Sequence, residues 1–185
     1  GKSHVAFWGT LRGPERALLP WPRVIAAALC LVAALYAKQT AVFFVPWICA
    51  FALWREWRSG LRLTVLAAAL TAAALALLQW QSDGYFWTLV FEVMSRHPRF
   101  LDRATGHAVL TLAFAPYFLL IPAMAWWARR RRQLSTRTAF WLGMLVCSAV
   151  GSVYTSSKIG AVSNNLITLF MLGPALASMM AASIH

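Results

Sequence analysis

The sequence predicts an all-α, polytopic transmembrane protein with about six spans and an amphipathic helix on the outer membrane face. Of its 185 residues, 61% are hydrophobic and only 12% are charged, which is more apolar surface than one soluble core of this size buries. The apolar residues form six long runs, and the charged residues cluster between them. Because the runs are continuous rather than alternating, a membrane β-barrel is excluded.

The candidate spans are the six apolar runs, at 17–37, 40–54, 61–80, 109–128, 138–154 and 166–184. The third, fourth and sixth approach the roughly 20 residues that cross a bilayer core as a helix. The second and fifth are shorter and need flanking side chains that reach the interface. Pro20, Pro22 and Arg23 interrupt the first run. We therefore assign residues 1–23 to an N-terminal segment and 24–185 to the membrane domain. A re-entrant hairpin is the alternative for the first two runs.

The distribution of lysine and arginine predicts the orientation, because cytoplasmic loops are enriched in these residues. When six spans alternate, one set of loops carries twelve of the 17 and the other carries five. The richer set contains both termini, so the N-terminal segment and both termini are predicted to be cytoplasmic. The loops at 38–39, 81–108 and 155–165 then face outward. Tryptophans fall at predicted span ends, as in an interfacial aromatic belt; these are Trp54, Trp57, Trp80, Trp126 and Trp127.

The net charge of +12 does not by itself identify a partner. In a soluble protein it would suggest nucleic-acid binding. Here the basic residues flank apolar runs, so we expect them to set topology and to contact membrane lipid with anionic headgroups. Nucleic acid is not an expected partner.

The outward loop at 81–108 carries three of the five acidic residues, namely Asp83, Glu92 and Asp102. Apolar residues in its first half recur at helical spacing; they are Phe86, Leu89, Val90 and Val93. This spacing predicts an amphipathic helix on the outer face that ends at His97 and Pro98. Taken alone, it is typical of a structural interfacial helix with Glu92 paired to Arg96.

The outward loop at 155–165 is polar and places Lys158 beside Gly160, followed by Asn164. A lysine next to a flexible glycine can bind a phosphate, because backbone amides approach the anion while the ammonium supplies charge. Lys38, at the first outward turn, is a second cation. The alternative for both lysines is an ordinary span-end residue whose ammonium reaches the interface.

No cofactor and no metal site are predicted. All four histidines lie outside the apolar runs, so none is placed to ligate a haem or chlorophyll within the bilayer; they are His4, His97, His107 and His185. The three cysteines show no metal-binding or redox spacing and are interpreted as structural thiols.

Three stretches resemble conserved segments of the GT-C superfamily of polytopic glycosyltransferases, in particular the bacterial dolichyl-phosphate-mannose and aminoarabinose transferase-like members. The stretch at 38–41 reads K-Q-T-A and is similar to a T-K-Q-T-A segment. The stretch at 84–92, which reads G-Y-F-W-T-L-V-F-E and is followed by His97-Pro98, is similar to an outer-face segment of that family. The stretch from Lys158 to Asn164 is similar to a G-K-x-G-S-x-x-N segment.

The resemblance implies a role for the outward loops. Members of that family transfer a sugar from a polyprenyl-phosphate carrier to an acceptor on the outer face. By this resemblance Lys38, Lys158 and Gly160 contact the lipid phosphate, while Glu92, His97 and Asn164 line the acceptor cavity. The implied location is the bacterial inner membrane, crossed several times, and the implied partner is a polyprenyl-phosphate sugar donor.

Two departures from the family pattern shape the functional expectation. The family's catalytic aspartate lies in an N-terminal half that precedes the matched segment, and this chain carries no such half. Asn165 and Thr168 stand where the family has tyrosine and glutamate. We therefore expect a chain that resembles the C-terminal half of a lipid-linked-sugar transferase and is inactive alone. The alternative is a non-catalytic accessory subunit of a larger respiratory or photosynthetic membrane complex.

Overall fold

A computed structural model describes residues 18–93, 117–130 and 135–157, together with 95, 96, 98, 100, 102, 105, 106, 108, 109, 112, 172–176 and 178. The regular structure in these residues is entirely helical, and no strand occurs among them. The predicted all-α class is therefore confirmed for the described part of the chain.

Six α-helices are described, and a 3₁₀ segment and a π-helical segment connect to them. In chain order the elements are α1 Trp21–Ala37, the 3₁₀ segment Gln39–Phe43, α2 Val45–Arg55, α3 Trp57–Gln81, α4 Tyr85–Trp87, the π-helical segment Thr88–Val93, α5 Tyr117–Arg130 and α6 Thr136–Ser156. The first five predicted runs correspond in order to α1, the 3₁₀ segment with α2, α3, α5 and α6, with α5 covering the later part of the fourth run. Helix α4 lies in the predicted outward loop at 81–108. Of the sixth run, residues 172–176 and 178 are described, and they are helical.

Two of the described helices, α3 and α6, are long and apolar enough to cross a membrane. Their 25 and 21 residues correspond to about 38 Å and 32 Å of helix. Helix α1, with 17 residues, reaches about 26 Å, and the 3₁₀ segment plus α2 together reach about 27 Å. These last two are apolar but shorter than the usual span.

The first compact unit, residues 16–99, is a three-helix arrangement of α1, α2 and α3. Proline occupies the first turn of α1 and of α2, where its missing N–H costs no hydrogen bond. Helix α3 is rich in alanine and leucine, the strongest helix formers. Helices α1 and α3 pack through small and branched apolar side chains, with the core formed by Val24, Ala28, Leu63 and Ala67.

Helices α1 and α3 run parallel to each other. Near their starts, the Leu19 N–H donates to the Ser59 hydroxyl at 3.0 Å, and the Arg62 guanidinium lies 4.8 Å from the centre of the Trp21 ring. Nearer the end of α1, the Tyr36 hydroxyl donates to the Thr71 carbonyl at 3.0 Å. Helix α2 packs against α3 and leads into it, so the start of α1, the end of α2 and the start of α3 share one end of the unit.

A single extended residue, Glu56, joins α2 to α3. Gly60 permits this sharp reversal, because a Cβ at its position would lie within 2.6 Å of the Ala52 carbonyl carbon and would also meet the Leu53 backbone. Backbones of two helices approach this closely only where a side chain is missing. Helix α3 begins at Trp57, four residues before the start of the apolar run that predicted it.

The second compact unit, residues 1–15 and 100–185, contains α5 and α6. Its apolar core consists of Ile121, Leu145 and Leu176. The Ser135 hydroxyl caps α6 by accepting the Thr138 N–H at 3.0 Å. Helix α6 buries small and hydroxyl-bearing residues along one face, which are Thr138, Ser148, Gly151, Ser152 and Ser156.

Candidate functional site

Two of the six site residues predicted from the sequence, Lys38 and Glu92, are among the described residues, and both are exposed. Both belong to the three-helix unit. The other four, His97, Lys158, Gly160 and Asn164, lie outside the described residues, so the expected grouping of all six remains a prediction.

Lys38 ends helix α1 in an extended conformation, with φ −152° and ψ 120°. Its N–H donates to the Ala34 carbonyl at 3.0 Å, and its own carbonyl accepts the Ala41 N–H at 2.9 Å, which starts the 3₁₀ segment. Its backbone is thus used at a helix-to-helix turn while its side chain is exposed. A lysine in this position is available to an anion at the end of the unit.

The end of α3 forms a sharp corner held by the side-chain amide of Gln79. The Gln79 amide nitrogen donates to the Gly84 carbonyl at 2.8 Å, and its amide oxygen accepts the Trp87 N–H at 2.8 Å. The Gly84 N–H also returns to the Gln79 carbonyl at 2.9 Å. Asp83 and Gly84 both have positive φ, 49° and 90°, which is typical of a left-handed helix end.

A second side chain supports the same corner. The Ser82 hydroxyl accepts the Phe86 N–H at 2.8 Å, so two of the first N–H groups after the corner are paired with side chains. Trp80, Tyr85 and Trp87 are exposed around it. We refer to residues 79–93 as the corner end of the unit; Lys38 follows Tyr36, whose hydroxyl meets the Thr71 carbonyl near the middle of α3.

Glu92 lies in the π-helical segment Thr88–Val93 and is exposed. Its carbonyl accepts the Arg96 N–H at 3.1 Å and the Ser95 hydroxyl at 2.8 Å. The sequence predicted an α-helix through this segment, whereas the observed helix is wound more widely. A wider turn changes which residues share a face, so Phe86 and Val90 are half-buried while Leu89 and Val93 are exposed. The described hydrogen bonds do not join Glu92 to Lys38.

The opposite end of the unit is basic and aromatic. We call it the arginine end, defined by Trp21, Arg23, Arg55, Trp57, Arg58 and Arg62. The Arg62 guanidinium lies over Trp21, as described above, and the Arg58 guanidinium lies 5.4 Å from the centre of the Trp57 ring. Such cation–π contacts orient a guanidinium without neutralising it.

Glu56, the acidic residue of the arginine end, is used as the cap of α3. Its two carboxylate oxygens accept the backbone N–H groups of Arg58, at 3.0 Å, and of Ser59. Hydrogen bonding by the Ser59 side chain, reinforced by these backbone bonds and by the Arg58 charge, lowers the pKa of Glu56. The carboxylate thus stays ionised, but its oxygens are directed to the helix start.

Sequence reasoning missed two parts of this arrangement, the Gln79 clamp and the Arg–Trp pairs. The arginines were predicted to set orientation and to contact anionic lipid headgroups, but not to pair with tryptophans. One local signal was available: Arg58 and Arg62 lie four residues apart on one helix face. No local signal pairs Trp21 with Arg62, because α1 and α3 are far apart in sequence.

Comparison with known proteins identifies no relative: no family model matches the chain, and no curated protein and no solved structure shows significant similarity.

Proposed function

We propose that the chain is a multi-span membrane protein of the bacterial inner membrane, with its arginine end in the cytoplasm and its corner end outside. The supporting observation is the surface of α3. Trp57 and Trp80 are exposed at its two ends, about 35 Å apart along the helix axis. Only 11% of its most apolar stretch is buried. The core helix of a soluble protein is mostly buried, whereas lipid accommodates an exposed apolar face between two interfacial tryptophans.

Within this frame we propose that the outer loops bind a polyprenyl phosphate and that the chain alone does not transfer sugar. Lys38 supports the first part, since its exposed side chain follows the end of α1, away from the arginine end and on the side that the charge asymmetry directs outward. The GT-C resemblance at 38–41, 84–98 and 158–164 supplies the ligand class. Lys158 and Gly160 are proposed as further phosphate contacts, and Glu92, His97 and Asn164 as residues near the acceptor.

The proposal that the chain alone does not transfer sugar rests on the positions of its acidic residues. A general base must lie within hydrogen-bond reach of the acceptor hydroxyl. Asp83, Glu92 and Asp102 are the acidic residues of the outer loop, and none matches the family's catalytic position. All three are exposed, which does not favour abstraction of a proton from a hydroxyl held in a closed cavity.

Ligand-dependent stability tests the phosphate site. Saturating polyprenyl phosphate is expected to stabilise the purified chain by about 2.7 kcal/mol at a hundredfold excess over Kd. Lys38→Gln and Lys158→Ala should each reduce this stabilisation and leave the ligand-free melting temperature nearly unchanged. Arg58→Gln, at the opposite end, is the matched control and should retain it. Equal stabilisation in all four proteins would contradict the site.

Activity is tested separately, by release of polyprenyl phosphate from a panel of polyprenyl-phosphate sugar donors with membrane acceptors. We expect no turnover from the purified chain. Turnover that disappears in Glu92→Gln would contradict this expectation and identify Glu92 as a catalytic residue.

The second candidate is a non-catalytic subunit of a larger respiratory or photosynthetic membrane complex. It is favoured by Asn165 and Thr168, which replace the family's tyrosine and glutamate next to the proposed phosphate contacts. Solubilisation of native membranes in mild detergent tests it. A stoichiometric complex of constant composition, without polyprenyl-phosphate stabilisation of the free chain, would favour this candidate over the first.

A further inference from the structure

The arginine end carries two guanidiniums on one face of α3, directly above exposed apolar side chains. Arg58 and Arg62 are four residues apart, and Leu61 and Val65 continue the same face at helical spacing. Leu61 and Val65 are exposed. The face therefore changes from cationic to apolar within two helical turns, toward the middle of the proposed span.

Helix α1 extends this face sideways. Its buried side is formed by Val24 and Ala28, and its exposed side carries Trp21 and Ile25, four residues apart. The contact between the Arg62 guanidinium and the Trp21 ring, at 4.8 Å, joins the two exposed faces. We call this region the strip: a guanidinium and an indole meet at Arg62 and Trp21, and exposed branched apolar side chains follow along each helix.

Within residues 18–82 the positive charge of this strip is only partly compensated. Between residues 18 and 82 the chain has one acidic residue, Glu56, and both of its carboxylate oxygens accept backbone N–H groups at the start of α3. The indole rings hold the two guanidiniums by their faces and leave N–H donors at their edges. Guanidinium donors match phosphate oxygens in geometry and charge.

We propose that one anionic phospholipid binds this strip, with its phosphodiester between Arg58 and Arg62 and its acyl chains along Ile25, Leu61 and Val65. The order of side chains follows the order of groups in a phospholipid, from charged phosphate to hydrocarbon. The inference rests on the proposed membrane insertion and orientation, and it is independent of polyprenyl-phosphate binding at the outer loops. An anionic lipid bound here anchors α1 to α3 on the cytoplasmic side.

The experiment uses the full chain in nanodiscs of phosphatidylcholine with an increasing fraction of phosphatidylglycerol, and it measures bound lipid and melting temperature. The wild type is expected to prefer phosphatidylglycerol at least about tenfold, since each basic residue near the surface attracts anionic lipid. Arg58→Gln/Arg62→Gln should reduce this preference to about twofold or less.

The matched control removes the same charge elsewhere. Arg130→Gln/Arg137→Gln also deletes two arginines from the predicted cytoplasmic side, and it should retain the full preference. Equal loss in both double variants would overturn the proposal, because the preference would then reflect diffuse charge. A wild type that shows no preference would also overturn it.

Further measurements separate the effect of guanidinium geometry from that of charge, and lipid binding from membrane insertion. Arg58→Lys/Arg62→Lys retains the charge but not the flat donor edge, so an intermediate preference is expected; full preference would contradict the role of guanidinium geometry. Co-elution with nanodiscs scores insertion, and a wild type that does not insert would overturn both this inference and the membrane proposal. Polyprenyl-phosphate stabilisation should persist in the Gln variant, which distinguishes this site from the one at Lys38.

Discussion

The two ends of the three-helix unit solve the same structural problem in opposite ways. At the arginine end the chain reverses through one residue, and the carboxylate of Glu56 caps the following helix. At the corner end the chain leaves α3 through two residues with positive φ, and the neutral amide of Gln79 pairs the freed backbone groups.

The two kinds of helix cap lead to different exposed charges at the two ends of the unit. The acid of the arginine end caps the backbone of α3, and indole rings lie against two of its arginines, Arg58 and Arg62. At the corner end a neutral side chain pairs the backbone groups, and the acids Asp83 and Glu92 are exposed. One end is strongly cationic and the other carries two exposed acids, and an uneven distribution of basic residues is the signal that orients membrane proteins.

The largest expected effect is on accessibility of the two ends. In a variant without native cysteines, Gln81→Cys at the corner end should react with a membrane-impermeant thiol reagent applied to intact cells, and Arg58→Cys at the arginine end should not. We expect this result because loops rich in arginine and lysine stay on the cytoplasmic side of a membrane. After membrane disruption both should react. The reverse pattern would invert the orientation and with it the assignment of Lys38 to the outer face.

Gly60→Ala should have the largest effect on stability. Replacing an exposed helical glycine with alanine normally stabilises by up to about 1 kcal/mol, but here the new methyl group meets the backbone of Ala52 and Leu53. Overpacking against backbone costs about 3 kcal/mol, so clear destabilisation is expected in thermal unfolding. Gly106→Ala is the control, because a Cβ there meets nothing within 4 Å. A neutral result at Gly60 would contradict the one-residue reversal.

Gln79→Leu should loosen the corner end without changing the arginine end. It removes the acceptor for the Trp87 N–H and the donor for the Gly84 carbonyl, a loss of about 2 kcal/mol for the two hydrogen bonds. Hydrogen exchange at the Trp87 amide should accelerate, while amides in the first turn of α3 should keep their rates. Gln81→Leu, the same change at an exposed position, should leave Trp87 unaffected. Unchanged exchange in Gln79→Leu would show that the clamp does not hold the corner.

Glu56→Gln should have the smallest effect, and that effect should depend on pH. Because the pKa of Glu56 is lowered in the folded protein, the ionised carboxylate stabilises the fold fully above the ordinary glutamate pKa and loses this contribution as the pH falls through the lowered pKa. At neutral pH the variant should melt about 2 °C lower than the wild type, and the difference should vanish in acid. Glu92→Gln is the control, with no such difference expected. A pH-independent difference would show that the cap acts by shape rather than charge.

Local pattern was enough to predict the helical class and the order of the described helices. The apolar runs at 61–80 and 138–154 predicted α3 and α6, since hydropathy and helix length are properties of consecutive residues. The same reasoning identified Lys38 as a span-end cation. It did not predict the wide winding at Thr88–Val93, because apolar spacing assumes an α-helical turn and the clamped corner changes how that segment starts.

The sequence by itself determined the helical class of the described residues and two helices, α3 and α6, that are long and apolar enough to cross a membrane; the concentration of positive charge on one set of loops stays a prediction. Only the tertiary structure decided which residues act together. Ser59 meets Leu19, Arg62 meets Trp21, and Gly60 meets the end of α2, and the two helix-crossing pairs are about forty positions apart in the chain. Such pairs depend on the parallel packing of α1 and α3, which no short-range periodicity encodes, because a helix face specifies what it buries but not which partner covers it.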